Sequence, residues 1–168
     1  MKKIFCLAVL VIAAAIPSMA QSAVKDSALR VEVEGGRSMD MKAADLAKFH
    51  RRDVSGKDHD GKEHSFSGFD VGEILANAGV KFGDNLRGKR LALYLLVEAA
   101  DGYHAVFALP ELDKVFTDKV VILADTMDGK PLDAKTGPWQ IIVPDEKKHA
   151  RWVRQVTKLS VISAVKEK

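Results

Sequence analysis

Beyond the first twenty residues, three stretches of the chain are apolar without a break: Leu91–Val97, Val120–Ala124 and Ile141–Val143. Uninterrupted runs of this length suit strands covered on both faces, and they set the frame into which every other segment must fit. Ahead of them, Ala28–Glu34 alternates, with Leu29, Val31 and Val33 set against Arg30, Glu32 and Glu34. That is the pattern of a half-exposed strand, and Gly35-Gly36 ends it. Lys42–Phe49 reads as a short helix after Asp40. Val71, Ile74, Leu75 and Ala78 follow helical spacing, with Asp70 as N-cap, Glu73 three residues on and Gly79 as the stop.

Asp101-Gly102 reads as a hairpin turn into Tyr103–Leu109, and Asp128-Gly129 as another into Pro131-Leu132. His149–Gln155 predicts a helical turn before a last strand near Val156–Ile162. There is no internal repeat, low-complexity tract or linker. The expectation is one α+β domain of mostly strands over residues 28–163, with a polar, flexible segment at 21–27 and a charged tail at 164–168.

The first twenty residues belong to a different regime. Lys2-Lys3, the apolar run Ile4–Ile16 and Pro17-Ser18-Met19-Ala20 have the order of a charged n-region, an h-region and a small-x-small cleavage site. The run is shorter than the roughly 18 residues a membrane span needs, so a cleaved signal peptide is expected rather than a stable anchor. Cleavage after Ala20 leaves 24 basic against 23 acidic residues, a net charge of +1 in place of +3. No footprint for nucleic acid remains at that balance. The only cysteine, Cys6, leaves with the leader. An exported chain, periplasmic or secreted, with no thiol has no disulfide, thiolate nucleophile, zinc–cysteine site or iron–sulfur cluster.

Several segments carry groups with chemical potential. Gly83–Arg90 nearly matches a phosphate-binding loop, but Arg90 stands where a hydroxyl must hold magnesium. The segment also runs into a strand rather than a helix, so it reads as a basic loop. His50, His59 and His64, with Asp58 and Asp60, crowd one stretch and could ligate zinc, copper or nickel without a thiol. Against that, Asp60-Gly61 is a turn signal, and Lys57 and Lys62 flank the candidates with positive charge. A solvated hairpin accounts for the same residues. No serine sits in a nucleophile elbow, and Met39, Met41, Met127 and Trp139 read as core or rim filling. His149-Ala150-Arg151-Trp152-Val153-Arg154 combines guanidinium groups with an indole, which suits capture of an anion beside an aromatic wall. The same residues would equally place Trp152 and Val153 in the core with Arg151 and Arg154 turned outward.

Taken in order, Phe69–Gly79, Asp101-Gly102-Tyr103, Leu123–Leu132, Gly137–Pro144 and Arg151-Trp152 resemble the molybdopterin-binding domain of the sulfite oxidase family. The resemblance covers the chain from about Ala28 to Val161 and implies a mixed α+β fold. In that family a cysteine thiolate ligates molybdenum from a strand preceding the segment that resembles Phe69–Gly79. The corresponding stretch here is about Arg51–Gly56, which has no cysteine. The family's cofactor phosphate is held by a histidine, an arginine and a further basic residue; Thr136 and Gln140 stand at the first two positions and Arg151 at the third. Asp101 stands for the pterin-contacting acid.

The resemblance therefore implies a domain that has lost molybdenum chemistry and carries no cofactor. It would act as a non-catalytic binding or accessory protein, taking a small anionic or pterin-like ligand near Asp101, Tyr103, Gln140 and Arg151. One alternative is an oxidoreductase that holds molybdopterin without a cysteine ligand, through Ser55 or water. A second is a periplasmic metal-binding protein using His50, His59 and His64.

Overall fold

The computed structural model describes residues 28–165. The expected leader, the segment 21–27 and most of the charged tail lie outside the described residues. Two five-stranded sheets, which share one apolar cluster, organise the rest.

The first sheet takes β1 (Ala28–Val33), β2 (Ser38–Lys42), β5 (Leu93–Ala99), β6 (His104–Ala108) and β10 (Val156–Ser163), in the order β2-β1-β10-β5-β6. The pairing of β1 with β10 is parallel and the others are antiparallel. The chain ends of the domain thus meet at the middle of one sheet. The second sheet runs β3 (Arg51–Lys57), β4 (Glu63–Asp70), β7 (Ile122–Met127), β8 (Lys130–Pro131), with β9 (Gln140–Ile142) also paired to β7. The single-turn helix α1 (Ala43–Leu46) follows β2, and α2 (Val71–Asn77) continues directly from β4.

The alternation in β1 is realised: Leu29 and Val31 are fully buried, while Arg30 faces outward and pairs with Glu32 and Asp40. The second helix starts as its sequence requires, with the Asp70 carboxylate accepting from the Glu73 amide at 3.3 Å. Lys42–Phe49 yields less than expected, because Lys42 is still paired in β2 and α1 closes after one turn that buries only Leu46. His149–Gln155 likewise gives only a 3-10 turn at His149–Arg151 before β10.

Two of the three apolar runs are covered on both faces. Ile122–Ala124 and Ile141–Val143 are fully buried. The third departs from the expectation: Leu91 and Ala92 belong to a 3-10 turn, and within β5 only Leu95, Val97 and Ala99 are buried. Tyr94, Leu96 and Glu98 face the outer side, where the described residues leave them only half-buried. Gly68 explains how β4 and β7 pack so closely. A Cβ there would fall on the Leu123 carbonyl and lie 2.5 Å from Ala124 Cα, at the register shift between Ser67 and Gly68.

Candidate functional site

Three connections converge at one edge of the domain. The turn between β3 and β4 brings His59, the turn between β5 and β6 brings Asp101 and Tyr103, and the 3-10 turn before β10 brings His149 with Trp152, Val153 and Arg154 behind it. Together they line an open cleft of about 290 Å³. Local hydrogen bonds fix two walls. Asp101 Oδ1 accepts from the Tyr103 amide at 2.9 Å, and the Tyr103 hydroxyl donates to the Ala150 carbonyl at 2.6 Å. The third wall is aromatic. The His59 ring meets the His149 ring edge-on at 4.8 Å, and His149 lies against Trp152 at 4.4 Å. Trp152 in turn meets Phe66 in the core at 5.4 Å.

Trp152 cannot move easily. It is 3% exposed, its indole N–H donates to the Val143 carbonyl at 3.0 Å, and aromatic rings flank it on two sides. The tip of that ring lies over Gly56 in β3: a Cβ at Gly56 would stand 2.8 Å from Trp152 Cη2 and 3.3 Å from Cζ2. Within Arg51–Gly56, Gly56 is the one buried position. The space that a side chain at Gly56 would need is therefore filled by the indole.

The sequence-predicted set is split by the structure. Asp101 and Tyr103 line the cleft as expected. Gln140 does not: it lies in β9 opposite Ala124, 2% exposed, and away from the cleft lining. Arg151 is also absent from the cleft lining, although Ala150 and Trp152 on either side of it belong to that lining. The Arg151 guanidinium donates to Glu111 at 3.0 and 3.2 Å, to Glu146 Oε1 from Nε at 2.8 Å, and to the Val106 carbonyl at 3.0 Å. It also covers the Phe107 ring at 4.3 Å. Two carboxylates already hold this cation, so it is not an anchor for an anion.

Burial works to raise the Glu111 pKa, but Arg151, then Lys119 at 2.9 Å and the Ala108 amide at 3.1 Å, lower it to about 2. Thr136 is likewise engaged locally, its hydroxyl donating to Asp133 at 2.8 Å.

The histidine trio does not assemble. His50 is exposed ahead of β3, His59 lies in the cleft, and His64 sits between Asp128 at 2.6 Å and Asp60 at 3.3 Å. Among the described residues no group of three or more His, Cys, Asp and Glu is placed to hold a metal ion. What sequence reasoning missed is His149. Its signal was present, since the segment His149–Arg154 stood out for its guanidinium and indole groups, but the imidazole rather than Arg151 is the group that faces the cleft.

A family model described as the oxidoreductase molybdopterin binding domain matches residues 58–168. The match begins immediately after β3. No curated protein matches the chain in sequence. Among solved structures the chain is similar to the crystal structure of the sulfane dehydrogenase SoxCD from Paracoccus pantotrophus, with a TM-score of 0.64 and 18% identity. That likeness, which is one of fold, covers 82% of this chain and 38% of the other.

Proposed function

The chain belongs to the oxidoreductase molybdopterin-binding domain family, and from that premise we propose that it keeps the family's fold and cleft while acting as a non-catalytic binding protein. The observation that carries this reading is the indole of Trp152 packed over Gly56, the one buried position in the stretch Arg51–Gly56 that the resemblance sets against the family's thiolate strand. The residues present do not fit a thiolate-held metal centre. The stretch Arg51–Gly56 has no sulfur, and Arg151 is held by Glu111 and Glu146 rather than directed toward a cofactor phosphate.

The cleft itself has the makings of a site for a small, planar, anionic ligand of the pterin type. His149 and the half-exposed Tyr103 offer aromatic walls with Trp152 as floor. The Asp101 carboxylate can accept from ring N–H groups, and Arg154 at the rim supplies positive charge for an anionic substituent. The leader-like segment Lys2–Ala20 supports an exported, periplasmic setting for this role.

The test uses full-length protein isolated from molybdenum-replete cells. Elemental analysis is expected to find no stoichiometric molybdenum, and titration with pterin-6-carboxylate is expected to quench the tryptophan emission saturably. Stoichiometric molybdenum with bound pterin would overturn the non-catalytic reading, and absence of quenching would overturn the ligand class.

A further inference from the structure

The wall of the cleft that carries His59 is the least secured of the three. Residues 58–62 are mostly exposed, and within the turn they hold one another through Asp58 N–H to the Lys62 carbonyl at 3.0 Å, Gly61 N–H to the Asp58 carbonyl at 2.9 Å and Lys62 N–H to Asp60 Oδ1 at 2.8 Å. The tie to the rest of the domain comes from β4. The His64 ring presents Nδ1 to Asp128 Oδ2 at 2.6 Å and Nε2 to Asp60 Oδ2 at 3.3 Å. Asp128 belongs to the turn between β7 and β8, and its other oxygen accepts the Ser65 amide at 3.0 Å.

Ionised carboxylates only accept, so a ring bonded to both must donate from both nitrogens, which only the imidazolium can do. The groups bonded to the ring are Asp60 from its own hairpin turn and Asp128 from the β7–β8 turn, with the Phe66 ring at 6.3 Å; Lys62 acts on Asp60 and Lys130 on Asp128 rather than on the ring itself. The hydrogen bonds to Asp128 first and Asp60 second raise the His64 pKa above its ordinary value against the opposing effect of burial.

We propose that His64 is a proton-operated latch on this cleft: charged, it ties the β3–β4 turn to the β7–β8 turn and holds His59 against His149; neutral, it keeps the shorter bond to Asp128 and releases Asp60, His59 and the turn. This regulation rests on the cleft being a ligand site. Its direction follows from the raised pKa: the latch is closed through the ordinary histidine range and opens as pH rises above it.

The experiment is amide hydrogen exchange on the full chain between pH 6 and pH 9, corrected for intrinsic exchange. The Gly61 and Lys62 amides are compared with those of β10. In the native protein their relative protection falls by up to about fivefold across the range, the size expected for an exposed charge pair. In Asp60→Asn, which keeps the acceptor for the Lys62 amide, the fall disappears, as it does in His64→Gln. An equal fall in the native protein and both variants, or an imidazole NMR spectrum showing a neutral His64 ring at pH 6, overturns the latch. Pterin-6-carboxylate titrated at pH 6 and pH 8.5 separates the two readings. Binding that weakens at the higher pH in the native protein but not in Asp60→Asn supports both. No binding at either pH, with exchange still tracking His64, overturns the ligand site and supports the latch.

Discussion

The contact between Gly56 and Trp152 can be tested by a single methyl group. Replacing Gly56 with alanine puts a Cβ 2.8 Å from Trp152 Cη2 and 3.3 Å from Cζ2. The ring cannot swing clear without breaking its 3.0 Å hydrogen bond to Val143 or displacing His149 and Phe66. Overpacking of this kind costs about 2–3 kcal/mol in a well-packed interior. Removing a glycine restricts the unfolded chain and returns about 0.7 kcal/mol. The net expectation for Gly56→Ala is therefore a loss of about 1–2 kcal/mol, read from urea unfolding at pH 7 with an unchanged m-value.

The control is a double-mutant cycle with Trp152→Phe, which removes the ring tip that meets the methyl. Gly56→Ala measured in that background should cost little or should stabilise, giving a coupling of about 1–2 kcal/mol between the two sites. Gly56→Ala that is neutral or stabilising in the native background would refute the claim that the indole fills this space. So would a coupling near zero, and the non-catalytic reading would lose its main support.

Three further outcomes are expected. Glu111→Gln removes a carboxylate whose pKa is about 2 in the fold against an ordinary 4.5, a ceiling of about 3.4 kcal/mol at pH 7. Its 29% exposure and the remaining partner Glu146 reduce the expected loss to about 1–2 kcal/mol. Because the folded pKa is depressed, that contribution is full above the ordinary carboxylate range and fades as pH falls toward 2; at pH 3 the gap between native and variant unfolding curves should shrink to about two-fifths of its pH 7 value. Gly68→Ala drives a methyl into backbone that cannot yield, so a loss above about 4 kcal/mol, or failure to recover folded protein, is expected by circular dichroism. Tyr103→Phe breaks the bond to Ala150 at a cost of about 0.5–1.5 kcal/mol by thermal unfolding and should weaken pterin-6-carboxylate binding, since the ring then loses its fixed orientation.

Elements whose signals are local were legible from sequence. The helix α2 follows from the Asp70 cap, the spacing Val71, Ile74, Leu75 and the stop at Gly79, all within ten residues. The turn at Asp128-Gly129 follows from its tendency to positive φ, found at 49° and 72°. The burial of β5 was misread because an apolar run reports composition, not surroundings. Leu96 and Tyr94 look like core, yet they lie on the sheet's outer face, where they are only half-buried among the described residues. The parallel pairing of β1 with β10 joins residues about 128 apart, as in Arg30 with Lys158, and no local pattern encodes it.

The site was half legible for a related reason. Asp101 and Tyr103 stand together on a tight hairpin, so their shared placement follows from the turn. For His149–Arg154 the residue types promised an anion site, but which flank faces the cleft depends on distant partners. Glu111, forty residues before Arg151, and Glu146 capture the guanidinium on the far side. Once they do, the backbone turns Trp152 toward β3, and there Gly56 is the only residue type that leaves it room. The ion cluster and the glycine thus act together: two carboxylates withdraw the charge a cofactor phosphate would want, and the freed side of the chain is filled by an indole. On the proposed reading, the absence of a thiolate from Arg51–Gly56 is in this sense not a single missing residue. A cysteine introduced at Gly56 would place sulfur against Trp152, so a thiolate could ligate a metal from this position only if the indole moved with it.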